Sequence, residues 1–331
     1  MCPAQAGFIS KIVPQRMGRD IWKTGRLYRL SRKYMALITR TSFSSVKIVG
    51  RENIPDGGAV IFAPNHCAAM MDPMIMLLTS GRPVGFGCRS DIFENPAVAK
   101  ILYWSKALPV ARERNGLSEV AKNMSTIDDI VDCLAHGMPF CMYSEGTHRP
   151  ERGLLPIKKG LFKIAKKAAD TLGKPVYVVP VGVCYEYFFH EMGNVSVHVG
   201  KPVEIWEYFR AREGASEAEV YRDICAEFHD TILSLIGEPP ARRHDLRGLR
   251  LAALVALLPL WLACALLSFP IWLPVKLIMA GMEDKAWTYT VYFAFRGLLP
   301  VLWPFFAFFA WWSNQWRRLI ADLFPKPGRT E

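Results

Sequence analysis

Between residues 48 and 236, short apolar runs alternate with helical patterns, and this alternation leaves few architectures open. AVIFAP (59–64) reads as a buried strand. PVGFG (83–87), ALPVA (107–111), MPFCMY (138–143), PVYVVPVGV (175–183) and VSVHV (195–199) follow as further strands. Leu117, Val120, Met124, Ile127, Val131 and Leu134 share one face of a helix through the i, i+3, i+4, i+7 spacing. GLFKIAKKAADTLG (160–173) is another helix, closed by Gly173 with Pro175 beyond it, and 216–236 forms the last. Short apolar strands separated by helices predict an α/β domain over 46–238, with a mostly parallel central sheet flanked by helices.

The chain is 51% apolar, and the excess lies at its C-terminal end. Leu251–Val275 holds no charged residue in 25 positions, and Gly297–Trp316 none in 20. About 20 such residues cross the hydrocarbon core of a bilayer, so the runs predict a pair of hydrophobic membrane helices within 239–331. Dense aromatics at 303–316 suit a membrane interface. The charge is equally localised. Residues 1–51 carry eleven of the 41 Lys and Arg but one acid, Asp20, of the 30 Asp and Glu, which leaves the remainder near neutral. Arg16, Arg19, Lys23, Arg26, Arg29, Arg32 and Lys33 are interleaved with Ile21, Trp22, Leu27, Tyr28, Leu30, Tyr34 and Leu37. That pattern predicts, within 1–45, a basic amphipathic helix lying on an anionic membrane surface. Nothing resembles a nucleic-acid-binding fold, so no nucleic acid is expected as a partner.

Within FAPNHCAAMMDP (62–73), Pro73 disfavours helix at Asp72, which predicts Asp72 as the N-cap and Pro73 as the first residue of a helix. Asn65–Met71 is then a loop at a strand end, where open α/β sheets place their active sites. If that loop folds back, Asp72 holds one nitrogen of His66 and leaves the other as a base. The plainer reading makes His66 a polar loop residue and Asp72 a cap only. The eight cysteines show no C-x-x-C pair and no metal-site spacing, so reduced thiols and no metal are expected.

NHCAAMMDP (65–73), a segment with Arg89, Phe93 and Pro96 leading to LPVAR (108–112), YSEGTHRPERGLLPIKKG (143–160) and VPVGV (179–183) occur in that order. They resemble the four sequence blocks of the glycerophospholipid acyltransferase superfamily, which includes the glycerol-3-phosphate and lysophosphatidate acyltransferases. The likeness covers about 46–205. It implies His66 as catalytic base and Asp72 as its orienting carboxylate. It also implies substrate-binding roles for Asn65, Arg89, Arg112, Glu145, Gly146, Thr147, Arg149, Arg152 and Lys158, with Arg112 on the acceptor phosphate. The His-x5-Asp spacing is one residue longer than in most of the superfamily, and His148 stands where an arginine is common, leaving Arg149 or Arg152 as its substitutes.

The reaction so implied is transfer of a fatty acyl group from acyl-CoA or acyl carrier protein to glycerol-3-phosphate or 1-acyl-glycerol-3-phosphate, without a cofactor. Membrane lipids are the further partner. A thiol hydrolase using Cys67, and a catalytically silent or transacylase-like lipid-binding protein of the same fold, are the rival readings. Basic flanks (Arg242, Arg243, Arg247, Arg250; Arg317, Arg318, Lys326, Arg329) predict a catalytic domain facing the cytoplasm, at a bacterial inner membrane or the endoplasmic reticulum. The 281–285 turn lies across the bilayer if the pair spans. Five prolines (259, 270, 274, 300 and 304) and Arg296 allow a re-entrant hairpin instead.

Overall fold

The computed structural model describes residues 20–110, 117–237 and 247–323. Its centre is an eight-stranded sheet: β1 (Ser45–Val49), β2 (Ala59–Pro64), β3 (Gly85–Arg89), β4 (Ala107–Val110), β5 (Phe140–Cys141), β6 (Val176–Tyr185), β7 (Asn194–Val199) and β8 (Val203–Glu204). The order is β1-β7-β6-β2-β5-β3-β4, with β8 also paired to β6. β6, β2, β5, β3 and β4 run parallel, so their C-terminal ends share one rim. β7 and β8 pair antiparallel to β6. The mostly parallel sheet is as expected; β5 is shorter than the MPFCMY run, although the Met142 N–H still donates to the Phe62 carbonyl of β2 at 3.0 Å.

Among the described residues the helices begin with α1 (Arg26–Thr41), α2 (Met71–Ser80), α3 (Pro96–Trp104), α4 (Leu117–Ala135), α5 (Gly160–Leu172), α6 (Ile205–Arg210), α7 (Glu217–Ile236), α8 (Arg247–Ala256) and α9 (Leu258–Leu267). They are followed by α10 (Phe269–Gly281), α11 (Thr288–Leu298) and α12 (Trp303–Leu323). β2 shows why the sheet needs cover on both sides, since all six of its residues are buried. Ala59, Ile61 and Ala63 face the core built with α4, α5, α6 and α7. Val60 and Phe62 face the opposite core, to which α1, α2 and α11 contribute Ile38, Ile75 and Phe293. Parallel strands buried on both faces are apolar throughout, as this one is.

The C-terminal region departs from the expected pair of membrane helices. The first apolar run is divided among α8, α9 and α10, with breaks at Leu257 and Ser268. Proline follows each break, at 259 and 270, and lacks the N–H that would continue the ladder. α9 and α10 meet at 73°, and the segments 285–298 and 300–323 meet at 105° across Leu299 and Pro300. No single helix among the described residues is long and apolar enough to cross a bilayer; the two bent pairs together have the length and composition. α11 packs against α1 and α2. Its Arg296 is fully buried, paired with Glu191 of the loop after β6 and donating to the Thr41 carbonyl of α1.

α1 covers the part of the expected amphipathic helix from Arg26 onward, while Arg16 and Arg19 lie outside the described residues, and it is not free of the domain. Tyr28 and Ile38 are buried, while Leu27, Leu30 and Leu37 are 69%, 66% and 53% exposed. Exposed leucines in a row along a basic helix are an unpartnered apolar stripe.

Candidate active site

β2 ends at Pro64, and the chain crosses the sheet rim through 65–70 before entering α2. Asn65 anchors this crossing. Its Nδ2 donates to the Val183 carbonyl at 2.9 Å, and its Oδ1 accepts the Val183 N–H at 2.7 Å. A side chain thereby continues the β2–β6 ladder beyond the last backbone pair. Asn65 is buried and fully engaged, so it holds the loop in place rather than facing a substrate.

The next residue is His66, whose Nδ1 lies 2.7 Å from Asp72 Oδ2. That same oxygen accepts the N–H groups of Cys67 and Ala68 at 2.8 Å each, while Asp72 Oδ1 accepts the Tyr185 hydroxyl at 2.7 Å. A fully buried carboxylate is tolerable only when its lone pairs are met, and four donors meet this one. The expected N-cap is therefore corrected. The helix starts at Met71, Met70 occupies the cap position without a side-chain bond, and Asp72 lies in the first turn. Its carboxylate turns back onto the preceding loop, which a left-handed Ala69 (φ 42°) curls over the helix start.

A carboxylate only accepts, so His66 presents Nδ1–H to it and keeps its lone pair on Nε2. The imidazole is stacked on Tyr143, with ring centroids 4.1 Å apart, and its side chain is 16% exposed. A ring pinned through one nitrogen has the arrangement that a general base requires. The thiol beside it is not a nucleophile: burial, and after it the Asp72 charge, push Cys67 well above the usual thiol range, so it stays protonated.

The loop after β5 closes over His66 from the other side. Glu145 accepts the His66 N–H on Oε1 at 2.6 Å and the Leu155 N–H on Oε2 at 2.8 Å. Arg149 N–H donates to the His66 carbonyl at 3.3 Å. The base is thus held by its side chain and by both of its own backbone groups.

A family model described as Acyltransferase matches residues 45–184, the span that carries His66, Asp72 and Glu145. A 1-acyl-sn-glycerol-3-phosphate acyltransferase of Chlamydomonas reinhardtii is 29% identical over 147 residues, 44% of this chain. The match spans 40% of that relative's length. Over residues 45–184 the chain is therefore similar to the acyltransferases. Among solved structures, the 1-acyl-sn-glycerophosphate acyltransferase PlsC of Thermotoga maritima aligns with a TM-score of 0.45 at 22% identity, covering 71% of this chain and 90% of that one.

Within the acyltransferase domain, the remaining expected residues divide by place. Glu145 is buried and both its oxygens serve backbone donors, so it organises the loop instead of meeting a substrate. Burial raises its carboxyl above the ordinary range, although the bonds from Leu155 and His66 oppose this. Gly146 has φ 72°, and a Cβ there would stand 2.5 Å from Lys158 Nζ, so the lysine lies directly over the glycine. Thr147 is exposed at the loop tip. Arg149 pairs with Glu151 at 3.4 Å, and Arg152 donates to the Glu186 carbonyl at 3.1 Å. Arg89 lies on the same rim, two strands from β2, exposed and paired with Asp91 at 2.5 Å. Arg112 falls outside the described residues.

Three participants escaped sequence reasoning. Tyr185 follows VPVGV on β6, and strand alternation from Val181 and Val183 places it on the α2 face, so its approach to Asp72 had a legible signal. Asp284 and Thr290 had none. Asp284 Oδ2 lies 2.8 Å from His148 Nε2, and Thr290 Oγ1 accepts the Met70 N–H at 3.3 Å. Asp284 lies in the short segment joining the two bent hydrophobic pairs, and Thr290 in the first turn of α11, inside the second pair.

Proposed function

We propose that this protein transfers a fatty acyl group from a thioester donor, acyl-CoA or acyl carrier protein, to the hydroxyl of 1-acyl-glycerol-3-phosphate or glycerol-3-phosphate. The observation that carries the reading is the imidazole held through Nδ1 by a buried, fully bonded carboxylate, its side chain 16% exposed at the sheet rim. An alcohol is too weakly acidic to attack unaided. His66 Nε2 takes its proton as the oxygen bonds to the acyl carbon, a contribution of ~10²–10⁴-fold. The acyl C–O bond forms, the C–S bond breaks, and the proton passes from His66 to the departing thiolate. Asp72 stabilises the imidazolium that exists between those two transfers.

The loop does not lend its nearest backbone donors to the reaction. Cys67 and Ala68 N–H are spent on Asp72, Met70 N–H on Thr290, and Met71 N–H on the Ala68 carbonyl. Oxyanion stabilisation from those four groups would require the catalytic loop to rearrange.

The protein is further proposed to work at a membrane, with the C-terminal region entering and leaving the bilayer from the catalytic side. The bent pairs have the apolar length; Asp284, between them, is bonded to His148, and Thr290 of the second pair to the 65–70 loop, which supports re-entry over a full crossing. Incubating the purified protein with one acyl thioester and a panel of phosphorylated and unphosphorylated acceptors, with mass spectrometry of the products, tests the activity. Acylation of the phosphorylated acceptors by the wild type but not by His66→Ala is expected. Acyl transfer that survives His66→Ala would refute it.

A further inference from the structure

The His66–Asp72 dyad has a neighbour of the same kind. His148 stands beside the base, with ring centroids 5.2 Å apart and the planes at 70°. Its Nε2 is held by Asp284, 136 residues away in sequence, and its other side meets Trp287 edge-on at 6.2 Å. Asp284 is itself fixed, because its Oδ1 accepts the Ala286 N–H at 3.0 Å and so caps the short turn Lys285–Trp287. Its carboxyl lies below the ordinary value. Partial burial opposes that, and the bonds from His148 and Ala286 outweigh it. The two dyads differ in setting: Asp72 is sealed, whereas the Asp284 side chain is 47% exposed.

We propose that Asp284 is a positioning residue of the acyl-transfer site, holding His148 as the cationic donor that receives the phosphate of the acceptor. This deepens the acyl-transfer reading and rests on it. Two other cations of the loop are bonded to neighbours, and a third lies over Gly146. Arg149 pairs with Glu151, Arg152 reaches back to the Glu186 carbonyl, and Lys158 covers Gly146. His148 is the cation-forming side chain in ring contact with the base. A phosphate bound to it places the adjoining glycerol hydroxyl within reach of His66 Nε2. The Asp284 carboxylate at Nε2 aligns the ring, so that its opposite edge faces the place an anion would take. The hydrophobic C-terminal region then supplies part of the acceptor site.

The test uses the full-length protein and measures kcat and KM separately for 1-acyl-glycerol-3-phosphate and for acyl-CoA. Asp284→Asn keeps the cap on the turn, since asparagine caps as well as aspartate, and removes the charge. Asp284→Asn and Asp284→Ala are expected to raise the acceptor KM about tenfold, the loss of one charge-assisted contact, with the acyl-CoA KM within twofold. His148→Ala should raise it at least as far, and the double variant Asp284→Ala/His148→Ala no further, because Asp284 acts through His148. His148→Arg in the Asp284→Ala background should recover most of the loss, as guanidinium keeps its charge without a carboxylate beside it. An unchanged acceptor KM in Asp284→Asn, additive losses in the double variant, or equal rises for donor and acceptor without rescue by arginine would each overturn the proposal. A wild type that acylates nothing refutes the acyl-transfer reading itself, so the two failures are distinguishable.

Discussion

Asp72→Asn separates the charge of the orienting residue from its hydrogen bonds. Cys67 and Ala68 N–H both point at Oδ2, so an amide NH₂ cannot take that position. The asparagine oxygen must go there, where it still accepts Nδ1–H of His66 and keeps the ring and tautomer in place. The NH₂ then faces Tyr185, whose oxygen accepts instead of donating. Geometry survives and the charge is gone. A charge-assisted bond to the imidazolium contributes about 1.5–3 kcal/mol, and each 1.36 kcal/mol is tenfold in rate. kcat should therefore fall by about one to two powers of ten, with the unfolding midpoint close to wild type. Asp72→Ala differs, because four donors lose their acceptor in a buried site at about 1–3 kcal/mol each. That variant should lose most of its folded population. Steady-state kinetics on purified Asp72→Asn, beside urea unfolding of both variants, are the assays. Near-wild-type kcat in Asp72→Asn would show that Asp72 serves the loop alone and that His66 needs no charged partner.

Breaking the buried Arg296–Glu191 pair from one side, as in Glu191→Gln or Arg296→Met, should cost about 3–5 kcal/mol in urea unfolding, because the remaining group is stranded. Cys67→Ala should leave kcat within a fewfold of wild type, and native protein should resist thiol alkylation at this position, given the burial that raises the thiol. Asn65→Ala removes both bonds to Val183 and should destabilise the fold by about 2–4 kcal/mol, read by denaturant titration. Replacing Leu27 and Leu30 with Glu should weaken binding to anionic vesicles in flotation assays by about tenfold or more, since an apolar side chain of this size contributes about 1.5–3 kcal/mol on burial.

The strands were legible because a strand buried on both faces must be apolar throughout, and AVIFAP and PVYVVPVGV are. Helices α4, α5 and α7 were legible from period and caps: Gly173 closes α5 in the left-handed region, and Ser216 caps α7. His66 and Asp72 could be paired in advance because only a few residues separate them and a loop must fold over the helix start. The rest was decided by tertiary structure. Which way Asp72 turned depended on where Cys67 and Ala68 directed their N–H groups, and that follows from the crossing anchored by Asn65 on β6. β7 alternates Asn194, Ser196 and His198 with buried valines and runs antiparallel to β6; the alternation marks a half-buried strand, but its direction depends on the connection. The C-terminal runs carried their length in sequence, but their bends come from prolines acting together with α1 and α2, against which α11 is packed. Asp284 meets His148 only because those bends return the chain to the sheet rim. No local pattern encodes a contact across 136 residues; it exists because the packed core brings two distant turns to the same place.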